Sequence, residues 1–227
     1  MPRRLRLASA GFVYHVLNRA AGRATLFEKD GDYAAFEKVL RQAHEEVPLR
    51  LLAFCAMPNH WHLVVWPESG QDLSRHLHWL TMTHTQRWHA HYHTAGTGPL
   101  YQGRYKSFPV QEDDHLLRLC RYVERNPLRA GLVNRAEQWR WSSLWHRTQG
   151  ALPDWLHAGP VALPARWVKW VNGAETEAEL EALRCSVLRG CPYGEGGWQQ
   201  RTAKRLGLTA TLRPRGRPPK APLGTND

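Results

Sequence analysis

The chain has 227 residues, of which 42% are hydrophobic and 11 are Trp, so it is long enough for one packed domain with an accessory region. Its 31 Lys and Arg against 20 Asp and Glu give a formal net charge of +11, which favours a polyanionic partner, nucleic acid first. It contains no run of about eighteen apolar residues, which excludes a membrane-spanning helix.

The first seven residues are basic, and no apolar segment follows them. We therefore expect no secretory signal and a cytoplasmic, nucleoid-associated location. The four cysteines include no Cys-x-x-Cys pair, which argues against a zinc ribbon and against a disulfide framework.

The predicted elements alternate between strands and helices. Alternating or apolar runs predict strands over residues 11–17, 49–56, 60–66 and 105–110. Helical spacing predicts helices over residues 30–46, 72–91 and 113–125. The order β-α-β-β-α-β-α fits an α+β fold, a ferredoxin-like antiparallel sheet with helices on one face.

The composition changes after Trp145, where Gly, Pro and Ala dominate residues 149–164 and indicate a linker. An acidic helix is predicted over residues 174–189, and a basic, helix-turn-like run over residues 198–208. Residues 211–220 are too rich in Pro, Gly and Arg for helix or strand. The predicted extension is therefore small, helical and basic.

Two histidines separated by one apolar residue begin the third predicted strand. Side chains at positions i and i+2 of a strand share a face, so His60 and His62 point the same way and Trp61 points into the opposite core. Two neutral imidazoles on one face are half of a divalent-metal site. The alternative is a pair of polar residues on the wet face of a half-buried strand.

The last predicted helix of the sheet domain carries two stripes. An apolar stripe of Leu116, Leu119, Cys120 and Val123 should face the sheet. Beside it lies a polar and basic stripe of His115, Arg118, Tyr122 and Arg125. A phenol among arginines suits attack on a phosphodiester, because the guanidinium groups stabilise the charged phosphate. The alternative is a tyrosine whose ring lies on the domain rim.

Asn126 follows Tyr122 by one helical turn, so both project from one face if the helix extends that far. An amide oxygen is an acceptable ligand for Mg²⁺ or Mn²⁺. The alternative role of Asn126 is a helix C-cap, with the helix ending before Pro127.

Tyr101 and Tyr105 are rival nucleophiles beside Arg104 and Lys106. We expect these four residues to contact the DNA backbone or to pack the core. The many histidines of residues 76–93 do not share one helical face, so we expect solvated surface there rather than a zinc site.

The tail contains Pro-Arg-Gly-Arg-Pro at residues 214–218, which resembles an AT-hook. In such a motif Gly permits close approach, and Arg215 and Arg217 would enter the narrow minor groove of A·T-rich duplex. The alternative is a generic basic tail whose affinity for nucleic acid is sensitive to salt.

Three motifs occur in order: AMPNHWHLV at residues 56–64, LYQGRYKS at 100–107 and RYVERNPLRAGLV at 121–133. Together they resemble the single-strand tyrosine transposases of the HUH superfamily, in the branch called REP-associated tyrosine transposases. The resemblance covers about the first two-thirds of the chain. Together with the change in composition after Trp145, it predicts a catalytic domain (1–147), a linker (148–173), a helical DNA-binding extension (174–212) and a basic tail with an AT-hook-like motif (213–227).

The resemblance implies a ferredoxin-like nuclease core in which His60, His62 and Asn126 hold Mg²⁺ or Mn²⁺ and Tyr122 is the nucleophile. The implied reaction cleaves and rejoins single-stranded DNA near a hairpin through a 5′-phosphotyrosyl link, without a nucleotide cofactor. Candidate DNA-binding residues are Arg104, Lys106, Arg118, Arg125, Arg215 and Arg217. The resemblance is compatible with a monomer or a homodimer.

Two other functions stay open at this point. One is a non-catalytic DNA-binding protein that recognises the same repeats, although such a protein would not need all four candidate site residues. The other is an RNA-binding protein with incidental histidines, which would be indifferent to metal.

Overall fold

The computed structural model describes residues 9–213. The strands are β1 (Val13–Arg19), β2 (Arg50–Met57), β3 (His60–Trp66) and β4 (Lys106–Val110). The first three helices are α1 (Asp30–Glu46), α2 (Asp72–Tyr92) and α3 (Asp114–Arg129). Further along the chain lie α4 (Ser143–Thr148), α5 (Trp167–Asn172), α6 (Glu177–Arg189), α7 (Gly196–Arg205) and α8 (Thr209–Leu212). The predicted order of the first seven elements is confirmed.

The four strands form one antiparallel sheet in the order β2-β3-β1-β4. Pro58 and Asn59 form the tight connection between β2 and β3, because Met57 pairs directly with His60. Strand β4 lies at the edge of the sheet and contains Pro109, which an edge strand tolerates because it need not donate to a second neighbour.

Helices cover both faces of this sheet. Trp61 and Leu63 belong to the core that includes α1 and α2, whereas Val64 belongs to the core that includes α3. Since alternate residues of β3 point to opposite faces, α3 lies across the sheet from α1 and α2. The predicted α+β class and antiparallel sheet are confirmed, and the expected placement of the helices on a single face differs from the structure.

Helix α3 is longer than its sequence pattern indicates. Its start is capped by Asp113, whose carboxylate accepts a hydrogen bond from the backbone N–H of His115 at 2.8 Å. The sequence pattern predicts a helix that ends at Arg125 and is closed by Asn126 and Pro127, yet the helix continues through Pro127 to Arg129. The stop signal is Gly131, whose φ of +69° closes a Schellman motif in which the N–H of Leu132 donates to the carbonyl of Pro127.

The chain after α4 packs against the sheet domain. Helix α5 falls within the predicted linker, and its Trp167 and Val171 are buried in the same core as α3. Helix α6 lies against β4, and Val110 of β4 forms a bridge with Tyr193. The division of the chain into four units stays a prediction. Of the helices within residues 9–213, none combines the length and the apolar character needed to cross a bilayer.

The histidines of α2 are not all on the surface, as had been expected. His76 and His84 are buried, and His76 Nδ1 donates to the carbonyl of Val47 at 2.9 Å. His84 Nδ1 lies 2.7 Å from the hydroxyl of Tyr101, which also accepts a bond from Trp61 Nε1 at 3.0 Å. Both imidazoles serve a packed polar network, so the expectation of solvated surface is wrong for these two residues.

We expect His84 to make the fold sensitive to acid. Burial lowers its pKa from 6.5 to about 4. Between those two pH values His84 is protonated in the unfolded chain and neutral in the folded chain. The contribution of neutral His84 to the free energy of unfolding is therefore complete above pH 6.5 and is lost as the pH falls toward 4. His84→Gln should reduce the loss of unfolding free energy between pH 7 and pH 5 by about 2 kcal/mol.

Urea unfolding at the two pH values measures this difference, and His78→Gln on the exposed face of the same helix is the matched control. The His78 variant should keep the wild-type acid sensitivity. An unchanged acid sensitivity in His84→Gln would show that folding does not lower the pKa of His84.

Candidate functional site

The first residues of β3 present two imidazoles toward α3. Strand pairing sets His60 opposite Arg19 and His62 opposite Leu17, so all four side chains share one face of the sheet. The rings of His60 and His62 have centroids 4.9 Å apart. Trp61 is fully buried on the opposite face, as the alternation predicts.

Each of these imidazoles is held at Nδ1. His60 Nδ1 lies 2.7 Å from Oδ1 of Asn59, and His62 Nδ1 lies 2.8 Å from Nε2 of His15. The nitrogen of each ring outside these bonds is Nε2. Orientation of a ligand histidine through its second nitrogen is what metal sites use.

Both histidines are neutral at physiological pH. Burial, together with the nearby charges of Arg19 and Arg129, lowers the pKa of His60 to about 4. Burial, followed by the neighbouring imidazoles His60 and His15, holds the pKa of His62 well below its usual range. Neutral imidazoles keep a free lone pair, which is the form of the side chain that can bind a metal ion.

His15 is a part of the site that the sequence motifs did not reveal. It is fully buried in β1, where burial lowers its pKa to about 3. If His62 carries its proton on Nδ1 and donates it to His15, the His15 proton must sit on Nδ1. That atom is buried without a partner among the described residues. A polar residue within an otherwise apolar strand was the available signal.

Tyr122 faces the histidine pair from α3. Its ring lies edge-on to His62 with centroids 6.1 Å apart, and the guanidinium of Arg129 lies 4.1 Å from its centroid. The four residues of the predicted apolar stripe are all buried, which sets the rotation of the helix. The structure therefore brings Tyr122, His60 and His62 to one place.

Asn126 lies one turn after Tyr122 and is buried. Its Oδ1 accepts a hydrogen bond from Arg129 at 2.9 Å, and its Nδ2 has no partner within residues 9–213. A carboxamide oxygen has two lone pairs, so one remains. Because α3 runs on to Arg129, Asn126 is not the C-cap of the helix.

Arg129 is the second residue that the sequence analysis missed. It contacts the Tyr122 ring, the Asn126 amide and the carboxylate of Glu175, which lies 2.9 Å away. Its position seven residues after Tyr122 is two turns along the helix. That relation becomes visible only when the helix is known to continue past Pro127.

Two arginines of the predicted DNA-binding set point elsewhere. Arg125 donates to the carbonyls of Val171 and Asn172 at 3.0 and 2.7 Å, at the end of α5. Arg118 lies 3.7 Å from the carboxylate of Glu179 in α6. In the structure both side chains join α3 to the C-terminal segment. Their proposed contact with DNA stays a prediction.

The other predicted site residues separate into three locations. Arg104 and Lys106 line a cavity at the edge of the sheet with Arg19. Tyr101 and Tyr105 are buried in the core that includes α1 and α2, as one of the two alternatives predicted. Arg215 and Arg217 of the AT-hook-like motif lie outside the described residues.

The donors available for a metal ion are limited. Residues 9–213 contain no group of three or more His, Cys, Asp or Glu that could hold one. An ion at this place would therefore be bound by the Nε2 atoms of His60 and His62 and by an oxygen donor such as Asn126. Imidazole nitrogen and amide oxygen suit Mn²⁺, and Mg²⁺ accepts them alongside water and phosphate oxygens.

Comparison with known proteins gives a family model and several solved structures. The family model described as "Transposase IS200 like" matches residues 8–126, which is more than half of the chain. No curated protein sequence matches this chain.

Two solved structures resemble the chain. One, a REP-associated tyrosine transposase bound to a REP hairpin, has a TM-score of 0.55 at 18% identity over 78% of this chain and 99% of its own. The other, a protein of Deinococcus radiodurans R1 assigned as a transposase, has a TM-score of 0.39 at 19% identity over 54% of this chain and 96% of its own. The first likeness supports the fold, and the second is too weak to support an argument.

Proposed function

The chain belongs to the family of IS200-like transposases, and on that premise we propose that it cleaves and rejoins single-stranded DNA through a covalent bond to Tyr122. The observation that carries this proposal is that Tyr122 of α3 lies next to His62 of β3, whose ring in turn contacts that of His60. A phenol beside neutral imidazoles and an arginine is a set of groups suited to phosphodiester transfer.

The proposed step is a transesterification. The Tyr122 oxygen forms a bond to phosphorus while the bond from phosphorus to the 3′ oxygen breaks. The phenolic proton leaves the nucleophile and the 3′ oxygen gains a proton, which gives a 5′-phosphotyrosyl link and a free 3′-hydroxyl. Rejoining is the reverse step, so the energy of the phosphodiester is kept and no nucleotide cofactor is needed.

The residues around Tyr122 have separate roles in this proposal. Arg129 lies against the phenol ring, so its guanidinium is close enough to offset the negative charge that develops on the phosphate and the phenol oxygen. Arg19, opposite His60 in the sheet, adds positive charge on the far side of the histidine pair.

We propose that His60, His62 and the oxygen of Asn126 hold Mg²⁺ or Mn²⁺. The neutral imidazoles, their held Nδ1 atoms and the remaining amide lone pair support this assignment. Such an ion supplies electrostatic polarisation of the scissile phosphate.

We propose hairpin-forming repeats in single-stranded DNA as the substrate, because one solved structure of this fold is a transposase bound to a REP hairpin. The strongly basic chain supports a DNA partner. The tail residues Arg215 and Arg217 would add affinity for A·T-rich duplex beside the hairpin.

Denaturing gel analysis of a labelled, hairpin-bearing single strand from the flanks of the gene tests the proposal. With Mn²⁺ we expect a covalent protein–DNA adduct of retarded mobility, and with EDTA we expect none. Tight binding without an adduct, across metals and strands, would instead favour a non-catalytic protein that recognises the same repeats.

We expect His15 to position His62 for metal binding. His15→Leu removes the acceptor of the His62 Nδ1 proton, so the imidazole no longer keeps one tautomer and one orientation. The dissociation constant for Mn²⁺ should rise by about 10- to 100-fold. His15→Gln keeps an acceptor oxygen and should show a smaller rise.

Isothermal titration with Mn²⁺ measures this affinity without any DNA. His84→Gln, which alters a buried histidine of the opposite core, is the control and should bind Mn²⁺ as the wild type does. Equal affinities for the wild type and His15→Leu would remove His15 from the site.

A further inference from the structure

A basic cavity of about 520 Å³ lies at the edge of the sheet, next to the histidine pair. Its inner wall is the end of β1 and the start of β4, together with residues 102–104. Its outer wall is the last part of α6, where Arg184, Val187 and Leu188 face it. The C-terminal extension therefore builds one side of a cavity whose other side belongs to the sheet domain.

All charged side chains that line this basic cavity are positive. Arg19, Arg104, Lys106 and Arg184 line it, and no carboxylate among the described residues does. Arg19 has a buried Nε that lacks a hydrogen-bond partner within residues 9–213. Arg184 pairs with Glu177 at 2.7 Å, but both side chains are more than half exposed. A pair of that kind contributes little, so Arg184 is available to an anion.

The basic cavity is continuous with the histidine pair. In the sheet Arg19 lies opposite His60, and Leu17 lies opposite both His62 and Lys106. Arg19, Leu17 and Lys106 therefore extend the face of the histidine pair across β1 to β4. A DNA strand bound at the histidines would reach the cavity within about 5 Å, which is the spacing between neighbouring β-strands.

One wall of the basic cavity is apolar and exposed. Leu188 is 53% exposed, and it is one of three large hydrophobic side chains that are exposed among the described residues. Next to it lies Val187. An exposed apolar group beside cations matches a nucleotide, which presents a flat base and a phosphate together. A cavity of this size suits single nucleotides, whereas paired bases stay inside a duplex.

We propose that the basic cavity binds the unpaired nucleotides of the DNA strand next to the scissile phosphate, with phosphates against Arg19, Arg104, Lys106 and Arg184 and a base against Leu188. This inference rests on the proposed function, since it takes the cleaved strand as the occupant. It assigns α6 a direct part in holding that strand.

Fluorescence anisotropy of a labelled single strand in EDTA tests the proposal without cleavage. Arg184→Glu should weaken binding at least about tenfold and lower the slope of log affinity against log salt by about 0.7 or more, because it removes one phosphate contact on a single strand and adds a negative charge. Leu188→Ser should weaken binding with no change in that slope, because it removes an apolar contact only.

Arg41→Glu is the charge-matched control, since Arg41 is exposed on α1 across the sheet from the basic cavity. Affinities of Arg184→Glu and Leu188→Ser equal to that of the control would overturn the proposal. Equal weakening toward a fully paired duplex of the same sequence would overturn the assignment to a single strand.

The same proteins in the Mn²⁺ adduct assay separate this proposal from the proposed function. An adduct with the wild type, together with unchanged binding by the variants, overturns the basic cavity alone. No adduct with the wild type, together with weakened binding by the variants, overturns the cleavage reaction and supports the cavity as a single-strand binding surface.

Discussion

Replacement of Tyr122 by Phe should abolish the covalent protein–DNA adduct. The change removes the hydroxyl and keeps the ring, so the edge-on contact with His62 and the contact with the Arg129 guanidinium remain. Without a nucleophile the rate of adduct formation should fall by a factor on the order of a million, below detection on a gel. Binding of the single strand in EDTA should stay at the wild-type level, because the phosphate-facing arginines are unchanged.

The rival tyrosines provide the controls for this experiment. Tyr101 and Tyr105 are buried in the core across the sheet from the histidine pair, so Tyr101→Phe and Tyr105→Phe should form the adduct. Peptide mapping of the wild-type adduct should place the DNA on the peptide that contains Tyr122. An adduct formed by Tyr122→Phe would assign the nucleophile to another residue.

The periodicity of the sequence was sufficient to predict those parts of the site that lie on a single strand or helix. The alternation of β3 places His60 and His62 on one face and Trp61 on the other, and the sheet register agrees. The apolar stripe of α3 fixes its rotation, so Tyr122 stands beside the core rather than in it. These features follow from the chain because each depends on residues within a few positions of one another.

The remaining parts of the site depend on contacts between distant segments. His15 reaches His62 across 47 residues of chain, and only the pairing of β1 with β3 brings them together. Arg129 reaches Tyr122 because Gly131, rather than Pro127, ends α3. A stop signal placed four residues too early was enough to hide the arginine nearest to the phenol.

The polar stripe of α3 shows why charge alone did not identify the DNA-binding surface. Its arginines at positions 118 and 125, with Arg121 between them, could face either phosphate or protein. Arg121 donates to the carbonyls of Gly173 and Ala174 at 2.9 and 2.7 Å, and Arg125 binds the end of α5. Guanidinium groups satisfy exposed carbonyls at helix ends as readily as they satisfy phosphates, and the sequence gives no distance between these segments.

The largest expected effect on stability belongs to Glu124, which is fully buried on the side of α3 away from Tyr122. Its carboxylate accepts hydrogen bonds from Ser143 Oγ at 2.6 Å, Arg147 Nε at 3.1 Å and Trp167 Nε1 at 2.6 Å. Glu124→Ala leaves Arg147 without its anion and Trp167 Nε1 without an acceptor, whereas Ser143 Oγ can still donate to the carbonyl of Phe54. The free energy of unfolding should fall by about 3–5 kcal/mol.

Urea unfolding measures this loss, and Glu177→Ala is the matched control because it breaks an exposed pair with Arg184. The control should lose less than about 1 kcal/mol. If Glu124→Ala does not fold, Glu124→Gln keeps an acceptor and should show an intermediate loss. Equal losses for Glu124→Ala and the control would mean that the buried network does not stabilise the fold.

Glu124 also links stability to the site. It ties α3 to α4 and α5 from one side, while Tyr122, two residues before it, faces the histidine pair from the other. A looser helix would present the phenol in several orientations, so Glu124→Gln should slow adduct formation at temperatures well below its unfolding midpoint. Wild-type adduct rates in a destabilised Glu124→Gln would show that the apolar stripe alone orients Tyr122.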